Sequence, residues 1–400
     1  MRSAAAVVMV LALVPAVSFG ATTFTSLSSV SCVASDWCAA VGSGPGAPGG
    51  PTTLAERWGG RGAWTTLVAQ RPRGEYSSVL SAVSCTSKTS CVAVGGDALG
   101  EGCDGSDKPA CIERAIAETW NGKSWLLRPV PLPALASQDS SLSGVACTTA
   151  RFCVAVGGYE YGSGCTDYYG QGPCARQTMI ARWNGRRWQE LPTRSGVGAL
   201  SAVACSSSRS CFAVGGSGCY EALGASVCSV GVATAERWDG RRWTLVATPV
   251  PAGETAAQLR GVACRSSRVC TAVGTYTPAS GNFAPLAEGW NGASWVVEPT
   301  PFDAAAGQST LMGVSCTSSR VCTAVGTNSD QGTSLILGWK GSTWTTQASP
   351  KPAGTETNFL GSVSCTSATR CVAVGGSTYP DITSLAEAWN GKRWRIEPTP

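Results

Sequence analysis

The stretch SCTSSRVCTAVG, Ser315 to Gly326, sets two cysteines six positions apart and follows them with a short apolar run ending in glycine. Versions of it occur seven times. The first cysteines are Cys32, Cys85, Cys147, Cys205, Cys264, Cys316 and Cys365, and the second are Cys38, Cys91, Cys153, Cys211, Cys270, Cys322 and Cys371. Successive copies start 49 to 62 residues apart. A second landmark keeps the same beat: a tryptophan, a tight turn and another tryptophan. The pairs run from Trp58 and Trp64 to Trp389 and Trp394, and of fifteen tryptophans only Trp37 stands outside them.

Each unit therefore reads as four short strands. In the fifth, LRGVAC and CTAVGT form strands a and b across RSSRV, and LAEGW and SWVVEP form strands c and d across NGA. Asn-Gly and Asp-Gly between alternating hydrophobics are strong signals for a hairpin turn with positive φ, and prolines after strand d stop it where no ladder donor is needed. A four-stranded antiparallel unit repeated seven times is the signature of a β-propeller, an all-β ring in which each sheet buries its faces on its neighbours. The tryptophans are the natural filler between blades. Each cysteine clip then ties strand a to strand b, closing a loop of about seven residues for roughly 2 kcal/mol in the chain-entropy model.

The domain reading follows. Residues 1–20 form a secretory signal peptide: Arg2, then the apolar AAAVVMVLALVPAV, then the small residues Ser18, Gly20 and Ala21. Residues 22–400 form one propeller with blades at about 27–72, 80–133, 142–193, 200–251, 259–301, 311–352 and 360–400. The TTFT stretch at Thr22–Thr25 is a candidate edge strand for the last blade. Export places the twenty cysteines in an oxidising compartment, so the expected location is secreted or at the extracellular surface. The C-x5-C spacing and the absence of histidine argue against zinc. No metal ligand set and no cofactor are read, no membrane span is expected, and a monomer is expected.

The repeat resembles the kelch-type propeller. The glycine pairs that close strand b match it, at Gly95–Gly96, Gly157–Gly158, Gly215–Gly216 and Gly375–Gly376, as does the aromatic at the start of strand d. The cysteine clips and the missing Asp-Pro after strand c depart from it. Kelch-like rings include copper oxidases with histidine and tyrosine ligands. A chain without histidine cannot take over that activity.

Strand direction assigns residues to faces. The a–b and c–d turns share one end and carry sixteen basic residues, among them Lys88, Arg151, Arg209, Arg268, Arg320 and Arg370, against Asp36 and Asp239. A formal net charge of only +5 thus hides a polarised disc. The basic face suits an anionic polymer. Nucleic acid is not the expected partner of an exported chain. The b–c and d–a loops form the other face and hold all eight tyrosines. Tyr159, Tyr161, Tyr168, Tyr169, Tyr220, Tyr276 and Tyr379 are the candidate binding residues, because tyrosine offers a flat apolar face and a polar tip. Three enlarged b–c loops carry their own cysteine pairs, Cys103–Cys111, Cys165–Cys174 and Cys219–Cys228, in adjacent blades. Stapling a loop lowers the entropy lost when it binds.

Without histidine the usual nucleophile–histidine sites are excluded, and every cysteine is assigned to a pair. What remains for catalysis is carboxylate chemistry of the glycosidase type, with Asp97, Glu101, Asp104, Asp107, Glu113, Glu160, Asp167 and Glu221 as candidates. Five blades also repeat a glutamate two residues before the first tryptophan: Glu56, Glu118, Glu236, Glu288 and Glu387. That repetition reads as structural, with a neighbouring blade's arginine as the expected partner. No catalytic residue is assigned. The function expected is a non-catalytic binding scaffold for an extracellular carbohydrate, a cell-envelope polymer or a surface protein. The alternative is a glycoside hydrolase or lyase.

Overall fold

The computed structural model describes residues 24–400 apart from 47–49, 71–74, 100–111, 134–138, 162–174, 194–197, 217–219, 223–224, 228–232, 252–253, 255, 280, 303–306 and 379–380. The leader and the three loop cysteine pairs lie outside the described residues. The chain is a seven-bladed β-propeller of four-stranded antiparallel sheets, each built from consecutive segments in the order a-b-c-d. The first blade is Ser26–Ala34, Trp37–Gly44, Thr52–Trp58 and Thr65–Leu67, and the fifth is Ala257–Ser266, Val269–Tyr276, Ala284–Trp290 and Trp295–Glu298. The fourth carries an extra hairpin in its b–c loop, Tyr220–Ala222 with Ala225–Val227.

The hydrophobic core is divided as the ring requires. Seven clusters of buried side chains occur, one at each blade interface. Between blades two and three, for instance, Val92 and Val94 meet Leu142, Val145, Trp183 and Trp188. The two tryptophans of a blade pack ring on ring at 5.5–5.6 Å in six blades and at 6.2 Å in the first. In the second, fourth, fifth and seventh blades the first of the pair also pins the disulfide turn. Its indole N–H donates to a turn carbonyl, as from Trp120 to Lys88 at 3.2 Å and from Trp238 to Ser208 at 3.1 Å. In the c–d turn the side chain does the capping: Asn291 Oδ1 accepts from the amides of Ala293 and Ser294, both at 2.9 Å, while Gly292 takes φ near 100°. That conformation is cheap for glycine.

All seven C-x5-C clips are disulfides between directly opposed residues of strands a and b, with Cα atoms 3.9–4.1 Å apart. No described cysteine is free. These bridges belong to a chain that matures in oxidising surroundings. No helix of the described residues is long and apolar enough to cross a membrane.

Strand a is innermost and carries a device the repeat pattern conceals. In every blade its ladder with strand b skips one residue, as between Leu27 and Ser29 or between Leu259 and Gly261. The bulge thrusts the strand a backbone against strand b. A Cβ at Gly42, Gly95, Gly157, Gly215, Gly274, Gly326 or Gly375 would collide with the carbonyl two residues before the bulged one. The glycine ending the AVG run is therefore a clearance requirement, met without positive φ.

The ring closes without a shared strand. Leu27, Val30, Trp58 and Trp64 pack on Val372, Val374 and Ala386 of the seventh blade. The amides of Val30 and Cys32 donate to the hydroxyls of Ser362 and Ser364 at 3.2 and 3.0 Å. The same amide-to-serine bond joins blades one and two, from Val83 to Ser29 and from Cys85 to Ser31. Of the expected edge strand, the described part makes one parallel bridge, Phe24 with Ile382, and Thr25 N donates to the Ile382 carbonyl at 2.8 Å.

Candidate functional site

All sixteen basic residues of the a–b/c–d turns are exposed. Among the described residues, two of them have acidic neighbours: Lys88 lies 3.0 Å from Asp36 and Arg242 lies 3.9 Å from Asp239.

On the opposite face, a set of described polar groups gathers where blades two and three adjoin. Asp97, near the end of strand b (Ser90–Leu99), is buried and faces Arg114 across the ladder. Arg114 Nη2 donates to its carboxylate at 2.8 Å, and the arginine side chain stays 44% exposed. Asp139, just before the next blade's strand a, accepts the Glu113 amide at 2.7 Å, and its carbonyl accepts the Glu160 amide at 2.8 Å. Burial pushes the Asp139 carboxyl above its ordinary range, with the Glu113 amide and the Arg176 charge opposing. Burial also raises Glu160, helped by the Asp139 charge and opposed by Arg176. Arg176 lies opposite Glu160 in the ladder and donates to Ser141 Oγ at 2.9 Å.

A groove of about 360 Å³ opens beside this cluster. It lies along the part of strand c that strand d leaves unpaired. Strand c of the second blade, Ile112–Trp120, has nine residues, while strand d, Trp125–Leu127, has three and pairs only with its last turn-proximal part. The uncovered half of strand c forms the floor with Ile116 and Ala117. The outgoing segment Arg128–Leu132 forms the wall, and the Asp97–Arg114 pair closes one end. Arg128 is held by its amide to the Ala117 carbonyl at 2.8 Å and by its Nε to Thr119 Oγ1 at 2.9 Å.

Of the candidate tyrosines, the side chains of Tyr159 and Tyr276 are described. Tyr159 and Tyr276 lie in blades three and five, and each packs against its own interface core. Burial, reinforced by the Glu254 charge, raises the Tyr276 hydroxyl. Tyr161 and Tyr220 fall on strands, Phe152–Tyr161 and Tyr220–Ala222, and their side chains are not described. Tyr168, Tyr169 and Tyr379 lie outside the described residues, as do Glu101, Asp104, Asp107 and Asp167. Of the candidate carboxylates, Asp97, Glu113 and Glu160 are brought together. Sequence reading missed Arg114, Asp139, Arg176 and the groove wall. An arginine at the loop end of strand c in two successive blades was the available signal.

The repeated glutamates are buried within the blades, and two of them latch onto the preceding blade by groups other than arginine. Glu118 Oε2 accepts the Gln70 amide at 3.1 Å and Glu387 Oε1 accepts the Ser349 hydroxyl at 2.8 Å. An exposed arginine could not follow them into the sheet without losing its water. Burial pushes the carboxyls of Glu56, Glu118 and Glu387 up to about 7 and that of Glu288 up to about 8. No group of three or more potential metal ligands occurs among the described residues.

No protein-family model matches the chain, and no curated protein does. Solved structures do. The chain aligns over 94% of its length with 99% of the BP39L lectin from Burkholderia pseudomallei, at 11% identity and a TM-score of 0.54. It aligns over 93% with 97% of YCF48 from Cyanidioschyzon merolae, at 13% identity and a TM-score of 0.50. At such identities the likeness is one of fold.

Proposed function

We propose that the chain is a secreted, non-catalytic propeller that binds carbohydrate on its b–c/d–a face, in the groove of the second blade. The supporting observation is the make-up of that groove: a pre-formed concavity with an apolar floor and wall and a fixed charged pair at one end. Sugars match it, since they present apolar ring faces and a rim of hydroxyls to which an exposed guanidinium, oriented by its buried carboxylate, can donate. One of the similar structures being a lectin agrees with this reading. A leader at residues 1–20, a single propeller over 22–400 and a kelch-like affiliation belong to the same proposal, as do the seven tyrosines as accessory contacts. A cell-envelope polymer on the basic face is compatible with it.

The test is a glycan-binding screen of the exported chain. Leu132→Ala trims an exposed wall residue, and Arg114→Lys keeps the charge but loses the fork. Each is expected to weaken the best glycan hit about tenfold or more. Unchanged binding in both would remove the groove from the proposal. The raised Asp139 and Glu160 carboxyls favour a second reading, a glycoside hydrolase with one of them as proton donor. Reducing-sugar release from a polysaccharide panel, abolished by Glu160→Gln, would establish it in place of simple binding.

A further inference from the structure

The bulge in strand a recurs seven times, and the skipped residues meet at the ring axis. They are Ser28, Ser81, Ser143 and Ser201 in blades one to four, then Arg260, Met312 and Gly361. With the two residues that follow each of them they line an axial cavity of about 200 Å³. Sequence position supplies the same alignment: each lies after the leucine of a Leu-x-small-Val tetrad, LSSV in the first blade and LRGV in the fifth.

The chemistry of this lining is one-sided. Arg260 is its single charged residue, and the lining contains no carboxylate. No described residue forms an ion pair with Arg260, and the four serine hydroxyls make no hydrogen bond among the described residues. Surrounding protein strips enough water from the guanidinium to lower its pKa. In a ring of seven, blade five faces blades one and two across the axis, so Ser28 and Ser81 stand opposite the arginine. Bulges often re-aim side chains beside functional sites. Here they aim a fork of donors and a set of rotatable hydroxyls into one axial cavity, which Arg260 lines while staying exposed to water. The complement of that set is an oxyanion, which the guanidinium meets with two parallel bonds.

We infer that the axial cavity is a binding site for a small oxyanion, a carboxylate or sulfate group held by Arg260 and the bulge serines. The group could arrive as a free ion or as the acidic end of a saccharide. The inference does not depend on the groove of the second blade.

The experiment is calorimetric titration of the whole exported chain with sodium sulfate, D-glucuronate and D-glucose at low ionic strength. Wild-type protein is expected to bind sulfate or glucuronate and not glucose. Glucuronate stronger than sulfate identifies a saccharide end, and the reverse identifies a free ion. Arg260→Ser places in the fifth blade the residue that four other blades carry at this position, so the fold is preserved. It should weaken binding about tenfold or more, the scale of a lost charge-assisted pair. Met312→Arg adds a second guanidinium one blade away and should strengthen binding. Absence of binding by wild type overturns the inference. So does affinity unchanged in Arg260→Ser, which would assign the anion to the exposed turn arginines.

Discussion

Glu288 lies in the middle of a strand c with both carboxyl oxygens buried and without a hydrogen-bond partner among the described residues. Its environment disfavours charge, so the folded chain holds the proton to about pH 8, against an ordinary value of 4.5. Glu56, Glu118 and Glu387 hold theirs to about 7. Below the ordinary value both folded and unfolded chains are protonated, and stability is insensitive to these groups. Between there and the folded values the unfolded chain releases protons that the folded chain keeps, so rising pH favours unfolding. Urea unfolding should therefore show stability falling from pH 5 to pH 8 and levelling above. Glu288→Gln should flatten this slope and be more stable at pH 8 by on the order of 3 kcal/mol. A rise in stability across this window would refute the assignment. The repetition of these glutamates was legible in the sequence. Their partners were not, because a latch to a backbone amide or a hydroxyl leaves no mark on residue type.

At the scale of the element, the bulge explains what composition could not. Seven glycines end the apolar run of strand b because the displaced strand a backbone occupies the space of a side chain. Gly326→Ala should cost about 2–4 kcal/mol, the range of a backbone clash that cannot relax through a flexible side chain. Gly361→Ala is the control: a Cβ there meets its nearest atom at 3.4 Å, an ordinary contact, and the cost should stay near 0.5 kcal/mol. Equal losses in denaturant titrations would contradict the clearance argument. The strand pairing itself was readable from the sequence, since cysteines six apart, alternating apolar residues and Asn-Gly turns are local signals. The bulge was not, because register slips are decided by how two strands coil around the axis.

The whole molecule depends on closing a ring whose ends share no sheet. The seam uses the bonds of the other interfaces, amides of the first blade on Ser362 and Ser364 of the last. Replacing both serines with alanine removes two acceptors and should cost roughly 2 kcal/mol, measured by urea unfolding. A loss under about 0.5 kcal/mol would show that packing of Trp58, Trp64 and Leu27 on the seventh blade carries closure alone. The two proposed sites lie where the ring is uneven. A groove runs along the outgoing segment of the second blade, and an arginine among serines marks one position on the axis.

Repetition in the sequence determined the number of blades, the four strands of each, the seven local disulfides and which turns share a face. All of these follow from short-range spacing, because neighbouring residues in a hairpin meet regardless of the rest. Only the tertiary structure decided that Asp97, Glu113, Asp139, Glu160 and Arg176 converge, and that residues one repeat apart, Ser201 and Arg260 among them, line one axial cavity. Those juxtapositions depend on the angle between blades and on ring closure, which no stretch within a single blade encodes.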